Sequence, residues 1–93
     1  MVKSSPVEVQ VEVKNRLGLH LRAASTIAEN ARSFDANVTV IKGHHQANAR
    51  SVTSLLMLGA AKGAKLKVRA EGPDARRALA VVRALFENRF GED

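Results

Sequence analysis

The sequence predicts an α+β fold in which an antiparallel sheet is covered by helices on one face and wetted on the other. Three observations predict it. Stretches near the beginning, middle and end of the chain alternate apolar and polar residues with the period of two that a half-buried strand requires. Between and after them, apolar residues recur at helical spacing. The strands thus have one apolar face each, and they alternate with helices in the order βαββαβα, which calls for a sheet packed on one side only.

Met1 to Pro6 reads as a short polar lead-in. Val7, Val9, Val11 and Val13 then alternate with Glu8, Gln10, Glu12 and Lys14, giving the first strand. After a Leu17-Gly18 turn, Ala24, Ile27, Ala28, Ala31 and Phe34 mark the buried stripe of a helix. Ala36 to Ile41 is β-branched and alternating, and Lys42-Gly43-His44 is a hairpin turn into a weaker strand that ends near Ala49. Ser51 looks like the cap of a helix whose apolar positions are Val52, Leu55, Leu56 and Met57, stopping at Gly59. Ala64, Leu66, Val68 and Ala70 alternate with Lys65, Lys67, Arg69 and Glu71 to give the last strand. Gly72-Pro73-Asp74 opens a final helix, with proline at an early position and aspartate in the first turn. Its apolar stripe is Ala75, Ala78, Leu79, Val82, Leu85 and Phe86, and Gly91 suits its end.

The 93 residues suit a single domain, 1–93. The absence of cysteine removes disulfides and thiolate metal sites. No stretch resembles a signal sequence or reaches the roughly 20 apolar residues of a membrane span, so a cytoplasmic protein is expected. The net charge of +6 raises the question of nucleic acid. Sheet-type single-strand binders carry aromatic rings for base stacking; this chain has no Tyr or Trp, and Phe34, Phe86 and Phe90 fall on helices or their ends. Lys65, Lys67 and Arg69 instead read as the wet face of one strand, able to meet Glu8 and Glu12 if the two strands are neighbours. Arg76, Arg77, Arg83 and Arg89 read as the solvated side of the last helix. His44 and His45 belong to a hairpin, point apart, and are joined by no cysteine or carboxylate cluster, so no metal site is expected. No grouping of serine, histidine and acid suggests a hydrolase.

The informative run is Asn15-Arg16-Leu17-Gly18-Leu19-His20-Leu21-Arg22-Ala23-Ala24. It puts His20 between a glycine turn and the start of a helix, where free N–H groups and the positive end of the helix dipole favour an anion. Gly18 permits a close approach, Arg22 can fork onto two phosphate oxygens, and Arg16 and Lys14 add positive potential. A neutral imidazole there can attack phosphorus and later leave when another nucleophile arrives. The pattern points to phosphoryl transfer.

The run Gly18-Leu19-His20-Leu21-Arg22-Ala23-Ala24 resembles the active-site motif of the HPr phosphocarriers of the bacterial phosphotransferase system. Ala49-Arg50-Ser51-Val52-Thr53-Ser54-Leu55-Leu56-Met57-Leu58-Gly59 is similar to that family's regulatory-serine region, and the resemblance runs from about Val7 to Phe90. It implies an open-faced β-sandwich, three helices on one face of a four-stranded antiparallel sheet. It implies that His20 is phosphorylated on Nδ1 by Enzyme I, which takes the group from phosphoenolpyruvate, and that Arg22 stabilises the phosphohistidine. The group would pass to IIA-type proteins, with no cofactor and no turnover of the chain's own. Ser51 matches a serine that an HPr kinase/phosphorylase modifies in some bacteria, besides being a natural N-cap. Leu19, Leu21, Val52, Thr53 and Leu56 match or adjoin the docking surface, while Gly18, Leu21 and Ala23 support the phosphate. Ala23 stands where the family often has proline and leaves one more N–H free. Arg50 replaces a common lysine and keeps the charge. A carrier that shows His20 to several partners is expected to be monomeric. The same residues also suit a regulatory, nitrogen-type module whose phosphorylation state selects partners without sugar transport.

Overall fold

The structure, a computed structural model, describes residues 5–92; of the expected lead-in, Met1 to Ser4 lie outside them. The elements are β1 (Val7–Glu12), α1 (Leu21–Arg32), β2 (Asn37–Lys42), β3 (His45–Asn48), α2 (Val52–Met57), β4 (Lys65–Glu71) and α3 (Ala75–Glu87), followed by a short 3-10 turn, Arg89–Gly91. The order is the expected one. All strand pairs are antiparallel, and the sheet runs β1-β4-β2-β3, so the last strand lies in the middle.

The alternation seen in sequence sorts the two faces. Val11, Val38, Val40, Leu66, Val68 and Ala70 turn inward, and they meet Ile27 of α1, Leu55 of α2 and Val82 and Phe86 of α3 in one core. The inner side of α1 is nearly all alanine (Ala23, Ala24, Ala28 and Ala31, each fully buried), which lets that helix lie close to its neighbours. On the other face, Glu8 sits opposite Arg69, and Glu12 opposite Lys65. Arg69 donates from Nε to Glu8 Oε1 at 2.7 Å, and Lys67 Nζ lies 3.6 Å from the other oxygen. The Arg69 guanidinium holds the Glu8 carboxyl below its ordinary range.

Three local expectations need correction. Pro73 and Asp74 precede α3: Asp74 is its N-cap, and its carboxylate accepts from the Asp35 amide at 2.8 Å instead of capping the helix. Gly91 does not end α3, which stops at Glu87; it closes the separate turn that follows. In the short α2 only Leu55 is fully buried, and Leu56 and Met57 face outward. One turn and a half of helix has room for one inward row.

Two cross-links fix α2 relative to the sheet. Lys42 Nζ donates to the carbonyls of Leu58 and Gly59, at 3.1 and 3.3 Å, just past the helix end. Arg50 donates to the carbonyls of Phe34 and Ala36, at 2.8 and 3.2 Å. Both cations complete orphan carbonyls that water would otherwise satisfy.

Gly18 bears a different constraint from the one its position suggested. Its φ is +73°, and a Cβ there would lie 2.7 Å from the Ala60 carbonyl oxygen and 3.0 Å from the Ala61 Cα. What needs the missing side chain is the loop after α2. Gly43, at φ +59°, has nothing within 4 Å of such a Cβ. Chemical denaturation should therefore show Gly43→Ala lowering stability by about 1 kcal/mol, the left-handed backbone cost alone. Gly18→Ala should lower it by about 3 kcal/mol, because it adds a collision with rigid backbone. Equal losses would contradict this packing.

Candidate functional site

The chain leaves β1 through a turn in which the Gly18 amide donates to the Asn15 carbonyl at 3.2 Å. The Leu19 amide then donates to the Ala60 carbonyl at 2.8 Å, and α1 begins. His20 is its N-cap, with extended backbone (φ −89°, ψ −175°). The His20 carbonyl accepts the first helical bond from Ala24, at 2.8 Å, and Nδ1 accepts from the Arg22 amide at 3.3 Å. Imidazole thus takes the place usually held by a serine or aspartate oxygen.

The other ring nitrogen meets a group absent from the sequence reading. Nε2 lies 2.8 Å and 3.0 Å from the two carboxylate oxygens of Glu92. The Asn15 amide donates to Glu92 Oε1 at 2.8 Å and to the Gly18 carbonyl at 2.7 Å. Asn15 is fully buried, and its Oδ1 has no partner among the described residues. These contacts assign the proton. The His20 hydrogen bond, reinforced by that from Asn15 and by the nearby Arg22 charge, holds the Glu92 carboxyl below its ordinary range. A carboxylate only accepts, so Nε2 donates; Nδ1 receives an amide proton and keeps its lone pair.

Glu92 arrives by an unusual route. After α3, Arg89 (φ +55°), Phe90 (φ +54°) and Gly91 (φ +74°) are all left-handed. For the two non-glycine residues this costs roughly 1–3 kcal/mol each. Burial of Phe90, worth roughly 1.5–3 kcal/mol, offsets part of that. Its ring packs edge-on to Phe86 at 4.9 Å. The turn doubles the chain back onto the start of α1.

The histidine is a surface group: its side chain keeps 28% of its area exposed, against 13% for Glu92. The ring is therefore open to approach from solvent. Arg22 is exposed, and its guanidinium makes no ion pair among the described residues. Lys14 and Arg16 are exposed too.

The other expected site residues divide. Leu21 is 62% exposed beside His20, Thr53 and Leu56 are exposed, while Val52 leans on the core. Leu19 is corrected: it is buried in the core and offers no surface for docking. Ala23 is also fully buried by its side chain, so only its backbone faces the helix start. Ser51 caps α2 by accepting from the Ser54 amide at 3.2 Å. The sequence reading missed Glu92, the linking role of Asn15, and two prominent apolar side chains, Leu17 (62% exposed) and Met57 (81%). Phe90-Gly91-Glu92 offered one signal, an aromatic residue placed to anchor the chain before a glycine turn.

The chain belongs to the HPr component family of the phosphotransferase system: the family model described as "PTS HPr component phosphorylation site" matches residues 7–88. Members are phosphocarriers of phosphotransfer chains. Phosphocarrier protein NPr of Escherichia coli K12 is 44% identical over 88 residues, spanning 94% of this chain and 98% of its own. Phosphocarrier protein HPr of Xylella fastidiosa Temecula1 is 36% identical over 87 residues, with the same coverage of 94% and 98%. The crystal structure of HPr-C-His from Thermoanaerobacter tengcongensis superposes with a TM-score of 0.89 at 36% identity, covering 94% of this chain and 98% of that one. The open-faced sandwich and the family resemblance expected from the sequence both hold.

Because Glu92 is held below its unfolded carboxylate range, its bonds stabilise the fold above that range and stop doing so as pH falls through the lowered value. Urea denaturation of the parent and Glu92→Gln should therefore differ near neutral pH, the difference shrinking as pH falls below 4.5 and closing once it has passed through the lowered value. A difference that persists unchanged into strong acid would deny the carboxylate this role.

Proposed function

We propose that the protein is a phosphoryl carrier that accepts the group from phospho-Enzyme I on His20 Nδ1 and passes it to IIA-type acceptors, acting as one domain without turnover of its own. The observation that carries this reading is the ring's two-sided engagement. Glu92 holds the Nε2 proton, so the Nδ1 lone pair is the nucleophile. As the Nδ1–P bond forms and the bond to the donor's leaving group breaks, the ring gains positive charge, which the Glu92 carboxylate balances. The Arg22 amide, no longer bonded to Nδ1, turns to a phosphoryl oxygen together with the neighbouring first-turn amides and the positive helix end. The unpaired Arg22 guanidinium is free to take two further oxygens. Reversal of these steps returns the group to an acceptor.

Leu17, Leu21, Leu56 and Met57, all exposed, supply the apolar part of the docking surface. Leu19 has no part in it. Ser51 would put a phosphate beside this surface; an acidic partner would then be repelled, the action expected of an HPr kinase/phosphorylase. The protein is read as cytoplasmic and monomeric in this role; no helix among the described residues is long and apolar enough to cross a membrane.

A second reading has one observation in its favour. Identity to the Escherichia coli NPr (44%) exceeds that to the Xylella HPr (36%), which supports a nitrogen-type regulatory role in which the state of His20 selects partners. Both readings need the same chemistry at His20.

Incubation with Enzyme I, Mg²⁺ and phosphoenolpyruvate should place an acid-labile, base-stable phosphate on the parent and none on His20→Ala. Arg22→Ala should accept it about 100-fold more slowly, since removing a group that stabilises the transferring charge costs about 2.7 kcal/mol. Undiminished labelling of His20→Ala would overturn the assignment. Ser51→Asp should bind Enzyme I about tenfold more weakly, a like-charge penalty of ~1.4 kcal/mol; unchanged affinity in a titration would remove the serine from regulation.

A further inference from the structure

We propose that the free edge of β1, with the flank of α3 beside it, is a docking groove for an extended acidic peptide that adds as a fifth strand. The site is separate from the phosphoryl chemistry and does not depend on it. Among the described residues β1 pairs only with β4, so its outer edge offers unpaired backbone donors and acceptors. Charge, length and bulges normally protect such an edge. Here the six residues Val7–Glu12 are a regular strand, and Glu8, the charge nearest its start, is drawn over the open sheet face by Arg69 and Lys67.

Beside this edge lies a cavity of about 230 Å³, lined by Val7, Glu8, Val9, Leu79 and Ala80 and by Arg76 and Arg83; the Glu8 carboxylate is already held by Arg69 and Lys67. It adjoins a second, of about 460 Å³, that shares Val7 and Arg76 and adds Arg77. Val7, Val9 and Leu79 are only partly buried, so apolar surface is left uncovered. Arg76 has no ion-pair partner among the described residues. Arg83 with Glu87 and Arg77 with Asp74 are exposed pairs, which contribute little and are readily exchanged.

Spacing selects the occupant. Arg76, Leu79 or Ala80, and Arg83 lie on one face of α3, and the two arginines are separated by about 10 Å along its axis. In an added strand the side chains facing α3 come every second residue, about 6.8 Å apart. Three successive inward positions, an acidic, an apolar and an acidic residue, span about 14 Å, and the flexible arginines, about 10 Å apart along the helix, splay outward to reach the two carboxylates. A second copy of β1 fits worse. It would present Val7, Val9 and Val11 inward, with no acid for the arginines, and it would bring a second set of arginines. The groove lies along Val7 to Val9, about 10 Å of strand short of Glu12, where the chain leaves β1 for the turn that precedes His20. A peptide held there leaves the histidine open.

The probe is an acetylated, amidated heptapeptide, Thr-Glu-Thr-Val-Thr-Glu-Thr, titrated into the ¹⁵N-labelled full chain. The amide resonances from Val7 to Val11 and from Arg76 to Arg83 should shift, and alternate β1 amides should gain protection from hydrogen exchange. The double variant Arg76→Glu, Arg83→Glu should bind at least about tenfold more weakly, while its phosphate acceptance from Enzyme I is unchanged. A peptide with lysine in place of glutamate should not bind. The proposal fails if shifts are missing or centre on His20, or if the lysine peptide binds equally well. It fails also if sedimentation shows the edge already occupied by a second copy, or if anionic phosphatidylglycerol vesicles, and not the peptide, perturb these residues.

Discussion

The contact between the Glu92 carboxylate and His20 Nε2 is the constraint from which the site follows. An imidazole at a helix start has two nitrogens and no intrinsic reason to prefer one as nucleophile. The carboxylate removes that ambiguity by accepting a hydrogen bond from the Nε2 proton, while the Arg22 amide donates to the Nδ1 lone pair at the start of α1. Nδ1, the nucleophile in the proposed carrier role, therefore already faces the positive helix end where an anion is best received. The contact requires two consecutive non-glycine residues in left-handed backbone, Arg89 and Phe90, held there by the packing of Phe90 on Phe86. Strain at a working site is thus balanced by core packing a few residues away.

The fold serves this arrangement by bringing together parts far apart in sequence. Asn15 follows β1, His20 starts α1, the Ala60 loop follows α2, and Glu92 comes after α3. They meet because β1 and β4 are neighbours and α3 packs back across both. Asn15 is the joint: one buried amide donates to the glycine turn and to the carboxylate. Three cations near the site and its supporting loops have contrasting uses. Lys42 and Arg50 close helix ends and loop carbonyls, whereas Arg22 makes no ion pair among the described residues. The family assignment gives these local arguments their context, because the matched region contains the turn, the histidine, α1 and α2.

Periodicity made most of the fold legible. The strand from Val7 and the strand from Ala64 show their faces in every second residue, and the charges of their wet faces meet as the pattern implied, Glu8 against Arg69. What sequence could not give was the middle placement of β4, since adjacency depends on packing across the whole sheet. It also misjudged Leu19: an apolar residue beside an exposed histidine can face either way, and the bond from its amide to Ala60 turns it inward. The placement of His20 and Arg22 at a helix start was legible from local chemistry, a glycine turn entering a helix. Glu92 was not, because it lies 72 positions away and reaches the ring through a backbone conformation that no local propensity favours.

The position of the ring proton tests the account most directly. A long-range ¹H–¹⁵N correlation spectrum of the neutral histidine distinguishes the two tautomers. The parent should show His20 protonated on Nε2 with Nδ1 bare, and Glu92→Gln should weaken or reverse that preference. A parent ring protonated on Nδ1, or a preference indifferent to the carboxylate, would contradict it.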